Sequence, residues 1–143
     1  MMRPHNATEK DCQDVLDLLA ACGLPLDGVA SQIGNFLVVR DNAGLLGCAG
    51  VENHGQVAVL RSVAVAGRAR SAGLGELLVA AMLAEARTRG AQSVVLQTTT
   101  AAGYFARLGF ERIERACMPQ ELRDAISLRE ACPSCATVMQ AAL

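Results

Sequence analysis

The stretch LRSVAVAGRARSAGLGELLVAAMLAEARTRG, residues 60–90, holds the change of texture that decides the fold. Its first six residues finish an apolar, β-branched run that begins at Gln56 and reads as a strand. Residues 67–75 are small, basic and punctuated by Gly67, Gly73 and Gly75. Over residues 73–89 the pattern turns helical, with Leu74, Leu77, Leu78, Ala81 and Met82 on one stripe. Arg87, Arg89 and Gly90 supply the closing signals. Residues 93–97 are β-branched again. Strand, glycine-rich loop, helix and strand make a βαβ unit, whose strands run parallel.

Working outward, residues 11–22 place Val15, Leu18, Leu19 and Cys22 on one helical face, and Gly23 and Pro25 end it. Residues 36–40, 45–51 and 56–65 read as strands. Asp41-Asn42-Ala43-Gly44 and Glu52-Asn53-His54-Gly55 are the turns between them, short enough to favour antiparallel hairpins. Downstream, Thr98-Thr99-Thr100 offers caps for a short helix over 101–108 before Gly109. Residues 110–115 and 137–143 read as the last strands. The expected fold is α/β, with a mixed central sheet, an antiparallel N-terminal half, a parallel second half and helices on both faces.

The 143 residues are 52% hydrophobic and 19% charged, which suits one domain over 1–143 with a sizeable core. Aromatics are 3% with no Trp, so Ala, Val and Leu must fill that core. Thirteen basic against fourteen acidic residues give a net charge of −1, which argues against a nucleic-acid partner. No stretch approaches the roughly 18 apolar residues of a membrane span, and residues 1–11 lack the apolar run of a signal peptide. A cytoplasmic protein with reduced cysteines and no membrane partner is expected. Cys12, Cys22 and Cys48 lie among apolar residues and read as small core fillers.

The loop before the long helix carries the sharpest chemical signal. Glycines there let a ligand approach the backbone, and the N–H groups of a helix's first turn attract an anion. Arg68 and Arg70 would add charge-assisted bonds to phosphate oxygens. The alternative is a helix start with glycine for packing and arginine for solubility. No Gly-Lys-Ser/Thr follows, so it is not a Walker loop, and the spacing is wrong for the dinucleotide fingerprint.

Arg70-x-x-Gly73-x-Gly75 resembles the pyrophosphate-binding signature of the GNAT N-acetyltransferases. So do the preceding Leu60-Arg61-Ser62-Val63-Ala64-Val65 and the later Thr98-x-x-Ala101-x-x-Tyr104-Phe105-x-x-x-Gly109-Phe110. The resemblance runs from about residue 5 to residue 115 and implies an acetyl-CoA site without a metal. Val63, Ala64 and Val65 would hold the pantetheine arm as a pseudo-strand. Backbone amides of Arg70, Ser71, Ala72, Gly73, Leu74 and Gly75 would hold the pyrophosphate, with Thr98 and Tyr104 also facing the cofactor. The parallel strands would splay apart, leaving the thioester carbonyl near the Val63 N–H. Direct attack by the amine in a ternary complex is the implied mechanism.

One departure concerns the proton donor to the thiolate. The family's usual Tyr falls at Phe105, and the hydroxyl sits one residue earlier, at Tyr104. One residue turns a helical side chain by about 100°, so Tyr104 is either that donor or a packed aromatic. Thiolates also leave unassisted, since a free thiol titrates near 8.5. Glu52 and His54 are candidate general bases, or a solvated turn carboxylate and a surface histidine. Arg61 inside an apolar strand demands a partner. It either binds the carboxylate of an anionic acceptor, with Ser62 beside it, or pairs with an acid such as Glu52.

Within the family, Val51-Glu52, the 60–65 run and the tail Met118-Pro119 with Cys132-Pro133-Ser134-Cys135-Ala136 and Met139 resemble the acetyltransferases of bacterial arsenic-resistance operons. More distantly they resemble the acetyltransferase domain of N-acetylglutamate synthases. Both comparisons imply a small amine acceptor, an amino acid or an amino-acid-like arsenical or phosphinic compound. Cys132-x-x-Cys135 lacks the second ligand pair of a zinc site and reads as reduced structural cysteines. The other reading of the chain is a non-catalytic protein on the same fold that senses acyl-CoA or, through its thiols, arsenite or a metal. Oligomeric state stays open, a homodimer being one option.

Overall fold

One mixed sheet of seven strands organises the chain, in the order β1-β2-β3-β4-β5-β7-β6. The computed structural model describes residues 3–70, 73–118, 122 and 136–143. Strands β1 (His5–Asn6), β2 (Phe36–Asp41), β3 (Gly44–His54) and β4 (Val57–Val65) form an antiparallel run. The crossover helix α2 (Leu74–Thr88) then leads to β5 (Ser93–Thr98), which pairs β4 in parallel. This is the βαβ unit expected from residues 60–97.

Beyond β5 the expectation of a parallel second half is corrected. Strand β7 (Thr137–Ala142) lies between β5 and β6 (Glu111–Ile113) and is antiparallel to both. A returning strand laid antiparallel beside β5 needs no crossover helix, so one parallel pair suffices for the connectivity. A second correction falls at the β3–β4 hairpin. Register continues through Glu52↔Val59, Asn53↔Ala58 and His54↔Val57, and the turn is carried by Gly55, at φ 73°, and Gln56. A two-residue hairpin of this kind needs positive φ at its first position, which glycine supplies. Glu52 and His54 are therefore strand residues, not turn residues.

Helices cover both faces. On β2, Phe36 and Val38 pack with Val15 and Leu19 of α1 (Cys12–Ala21). Leu37 and Val39 point the other way, into a core shared with Leu74, Leu78 and Met82 of α2 and Phe105 of α3 (Ala102–Arg107). Each such buried aliphatic side chain contributes about 2 kcal/mol. Gly47 sets how closely α2 sits: a Cβ there would lie 2.8 Å from Leu78 Cδ1 and 3.0 Å from the Ala64 carbonyl oxygen. The expected threonine cap of α3 is not formed: its N-cap is Ala101, with no side-chain cap, and Thr98 Oγ1 instead accepts from the Ala101 N–H at 3.0 Å in the turn just ahead. No helix of the described residues is long and apolar enough to cross a membrane.

Candidate active site

Strands β4 and β5 pair only at Val57↔Ser93, Ala58↔Val94 and Val59↔Val95, although β4 runs on to Val65 and β5 to Thr98. From Leu60 onward the β4 edge that faces β5 has no strand against it. The β3–β4 register slips between Cys48 and Gly50, opposite Ser62 at φ 58°. Ser62 is the one non-glycine residue with positive φ among those described. Bulges increase local twist and re-aim a strand, and this one lies where β4 has left β5. The wedge is a cavity of about 1130 Å³, lined by residues 60–65, 96–101, 73–76 and the loop 22–25 with Asp27. That volume admits a ligand of substantial size.

Helix α2 begins at the cavity wall. Its N-cap, Gly73, has φ 77° and no side chain caps the first turn, so amides without intrahelical acceptors are available to an anion. A Cβ on Gly75 would run into the Tyr104 hydroxyl, so the cradle is kept narrow and bare of side chains. Arg70 lines the cavity and lies across it, Nε donating to the Val65 carbonyl at 3.2 Å and Nη2 lying 3.7 Å from Cys22 Sγ. Arg68 does not share that role. It holds Asp41 with two bonds, at 2.7 and 2.8 Å, and this pairing pulls the Asp41 carboxyl down to about 2. Ser71 and Ala72 lie outside the described residues, as do Cys132 and Cys135.

Tyr104 is half-buried on the cavity wall, while its neighbour Phe105 is buried against the sheet, the two rings edge to face at 5.2 Å. Burial pushes the phenol pKa up, Glu76 adds to the rise, and Arg107 over the ring works against it. Thr98, Val63, Ala64 and Val65 also line the cavity.

Arg61 is buried, 7% exposed, and still reaches the cavity. Its Nε donates to Ser62 Oγ at 2.9 Å. Its Nη1 is buried without a hydrogen-bond partner among the described residues. Such a donor costs about 1–3 kcal/mol if left unpaired. Burial lowers the guanidinium pKa, against which the charges of Glu52 and Asp27 act. The pairings Glu52↔Val59 and Gly50↔Arg61 put Glu52 and Arg61 on one face of the sheet. Glu52 is 4% exposed, lies 3.7 Å from His54 Nε2, and is absent from the cavity lining. Its charge acts on Arg61 from the same face of the sheet.

Asp27 is the site residue that sequence reading misses. It lies in an irregular loop after α1 and reaches Arg61's neighbourhood only through the fold, so neither spacing nor periodicity marks it. Of the cysteines, Cys48 is a buried filler whose thiol burial pushes up to about 12. Cys12 and Cys22 are only partly buried, and Cys22 is on the cavity wall. No cluster of His, Cys, Asp or Glu able to hold a metal occurs among the described residues.

The acetyltransferase (GNAT) domain family model matches residues 32–112. An uncharacterised N-acetyltransferase of Chlorobaculum tepidum is 30% identical over 117 residues, which is 79% of this chain and 75% of that protein. N-acetylglutamate synthase from Neisseria gonorrhoeae, solved with coenzyme A and N-acetyl-glutamate, superposes with a TM-score of 0.82 at 19% identity. That match covers 100% of this chain but 35% of the synthase, so the chain spans about a third of its length. A Mycobacterium tuberculosis protein in complex with CoA gives a TM-score of 0.79 at 21% identity, over 100% of this chain and 99% of that one. A GNAT-family acetyltransferase from Staphylococcus aureus gives 0.81 at 14% identity, over 100% and 99%. At these identities the solved structures speak to the fold alone.

Proposed function

The chain belongs to the GNAT acetyltransferase family, and from that premise we propose that it carries an acetyl group from acetyl-CoA to the amine of a small, amino-acid-like acceptor. One observation carries this reading: a single wedge has a bare helix start at one part of its wall and a buried, partly unpartnered arginine at another. The first suits a diphosphate, the second a carboxylate.

The residues fit both ligands. Amides of Gly73, Leu74 and Gly75 with Arg70 are assigned to the pyrophosphate, and sequence alone adds Ser71 and Ala72. Val63, Ala64 and Val65, on the unpaired part of the β4 edge, are assigned to the pantetheine amides, with Thr98 across the wedge. Acetyl-CoA supplies an acyl group already activated as a thioester. The chain then has to orient an amine that has given its ammonium proton to solvent, polarise the carbonyl it attacks, and protonate the thiolate that departs as the C–N bond forms and the C–S bond breaks. The Val63 N–H, beside the bulge, is assigned to the carbonyl. Arg61, with Ser62 bonded to its Nε, is assigned to the acceptor carboxylate. Tyr104, whose raised pKa keeps its proton in place, is assigned to the thiolate. Glu52 is assigned to holding Arg61, since it shares that residue's face of the sheet, its charge acts on the guanidinium, and it is not on the wall.

Thiol release from acetyl-CoA in the presence of individual amino acids tests the reading. Amino-acid-like arsenicals and phosphinic compounds belong in the same panel, since they offer the same ammonium and acid groups. Release that depends on an acceptor is expected. Release no faster than hydrolysis with every acceptor would sink it.

A further inference from the structure

We infer that Asp27 and Arg61 form a two-point clamp for a zwitterion, Arg61 taking the carboxylate of an α-amino acid acceptor and Asp27 its ammonium. The inference rests on the acetyl-transfer reading and names the chemistry of its acceptor site; the ammonium held by Asp27 on arrival gives a proton to solvent before the neutral amine attacks the thioester.

The two residues come from separate elements, the loop after α1 and strand β4, and line the same cavity. Each lies near enough for the Asp27 charge to act on the Arg61 guanidinium. Yet no ion pair joins them, and Arg61 Nη1 is left buried with no hydrogen-bond partner among the described residues. Buried donors in native proteins almost always have partners. Opposite charges that share a cavity without meeting leave room for a ligand bearing both signs in reversed order. The charge of Glu52 already acts on the buried cation, ahead of that of Asp27, so Asp27 is not needed to neutralise it.

The loop presents Asp27 on a defined backbone. Gly23 and Gly28 bracket it at φ 71° and 74°, a region that strains any residue with a Cβ. Asp27 is exposed, so its carboxylate is accessible to an incoming ammonium. A site that pairs both ends of a zwitterion rejects molecules lacking either end, because the unmatched group is then left without its partner. Plain amines and α-amides should therefore be poor acceptors.

The experiment uses Asp27→Asn and Arg61→Lys with acetyl-CoA, the proteinogenic L-amino acids, their α-amides and the corresponding α-hydroxy acids. Acetylation rates are paired with calorimetric binding of the same compounds in the presence of coenzyme A. The best amino acid should lose about tenfold or more in KM with Asp27→Asn, and its α-amide should be a comparably weaker acceptor of the unmodified protein. The α-hydroxy acid, which lacks the ammonium, should bind equally well to the unmodified protein and to Asp27→Asn, and worse to Arg61→Lys. Asp27 is exposed, so its variant should fold even if the arginine variant does not. Acetylation that is indifferent to Asp27→Asn, or equal for acid and amide, overturns the clamp and leaves the transfer reading standing. Amino-acid binding that depends on Asp27 without any acetylation does the reverse. Neither binding nor acetylation overturns both.

Discussion

The hydroxyl of Tyr104 fills the space that a side chain at Gly75 would need: a Cβ built on that glycine collides with it and comes within 3.4 Å of the phenol Cζ. Helix α3 thereby sets its aromatic directly on the first turn of α2. Gly75→Ala isolates this contact. Alanine is the better helix former by about 1 kcal/mol, so propensity predicts a gain in stability. The overlap should reverse that sign, with a loss of about 1–3 kcal/mol. Removing the hydroxyl with Tyr104→Phe should recover most of it, because the remaining ring contact is of ordinary length. Thermal unfolding of both single variants and the double variant checks this. A double variant no more stable than Gly75→Ala would show that the hydroxyl is not the obstacle.

The same phenol should act as an acid over an unusually wide range. Its pKa is raised above 10.0 by burial first and by Glu76 second. A raised value means that the proton is retained longer as pH climbs, so its contribution to turnover disappears only once pH passes the folded-state value. Tyr104→Phe should lower kcat by about tenfold, less than the usual share of an acid catalyst, since a thiolate also leaves unaided. KM for acetyl-CoA should change little, and the deficit should stay constant between about pH 6 and 9, below the raised titration of this phenol. A variant with unaltered kcat at every pH would make Tyr104 a packing residue.

What could be read ahead of the structure follows from where the information lies. The βαβ unit was legible because the spacing of apolar residues changes from strand to helix and back within residues 56–97. Thr98 was legible as a residue that bonds the backbone three positions on, but not that this closes a turn ahead of α3 and leaves the helix itself without a side-chain cap. The placement of β7 was not, since any sheet edge accepts an antiparallel strand. Glu52-Asn53-His54-Gly55 resembles a turn in composition, and only the pairing with 57–59 shows that three of its residues belong to β3. Arg61 announced itself as a charge in an apolar strand. Its neighbour Asp27 did not, because the fold alone brings the two to one cavity.

Arg68 sits in the basic loop but is engaged elsewhere. Its two bonds to Asp41, helped by the Ala43 amide, hold that carboxyl down at about 2. A carboxylate depressed in the folded state stabilises above its unfolded value, near 3.8, and that contribution is lost as pH falls through the folded value. Both groups face solvent, so the effect should be small and screened by salt. Arg68→Gln should return the Asp41 titration toward the ordinary carboxylate range, as followed by NMR, while coenzyme A affinity changes much less than with Arg70→Gln. An equal loss of affinity for the two variants would put Arg68 back on the phosphate.

Glu52 offers the sharpest choice between positioning and chemistry. It is buried on the face that carries Arg61, and its carboxylate lies 3.7 Å from His54 Nε2. Glu52→Gln keeps the shape and removes the charge. If Glu52 holds Arg61 through its charge, the variant leaves a buried cation with less compensation, and stability should fall by about 1–3 kcal/mol. The acceptor KM should then rise while kcat at saturating acceptor stays within about twofold, because a binding interaction common to ground and transition states has been weakened. If Glu52 is instead the base, kcat should drop by about a hundredfold and the acidic limb of the pH–rate profile should vanish. Glu52 lies off the cavity wall and its charge falls on Arg61, so the first pattern is the one expected. Steady-state kinetics across pH, read beside the unfolding midpoint of the same variant, separates the two, since a positioning carboxylate moves KM and Tm together and a base moves neither.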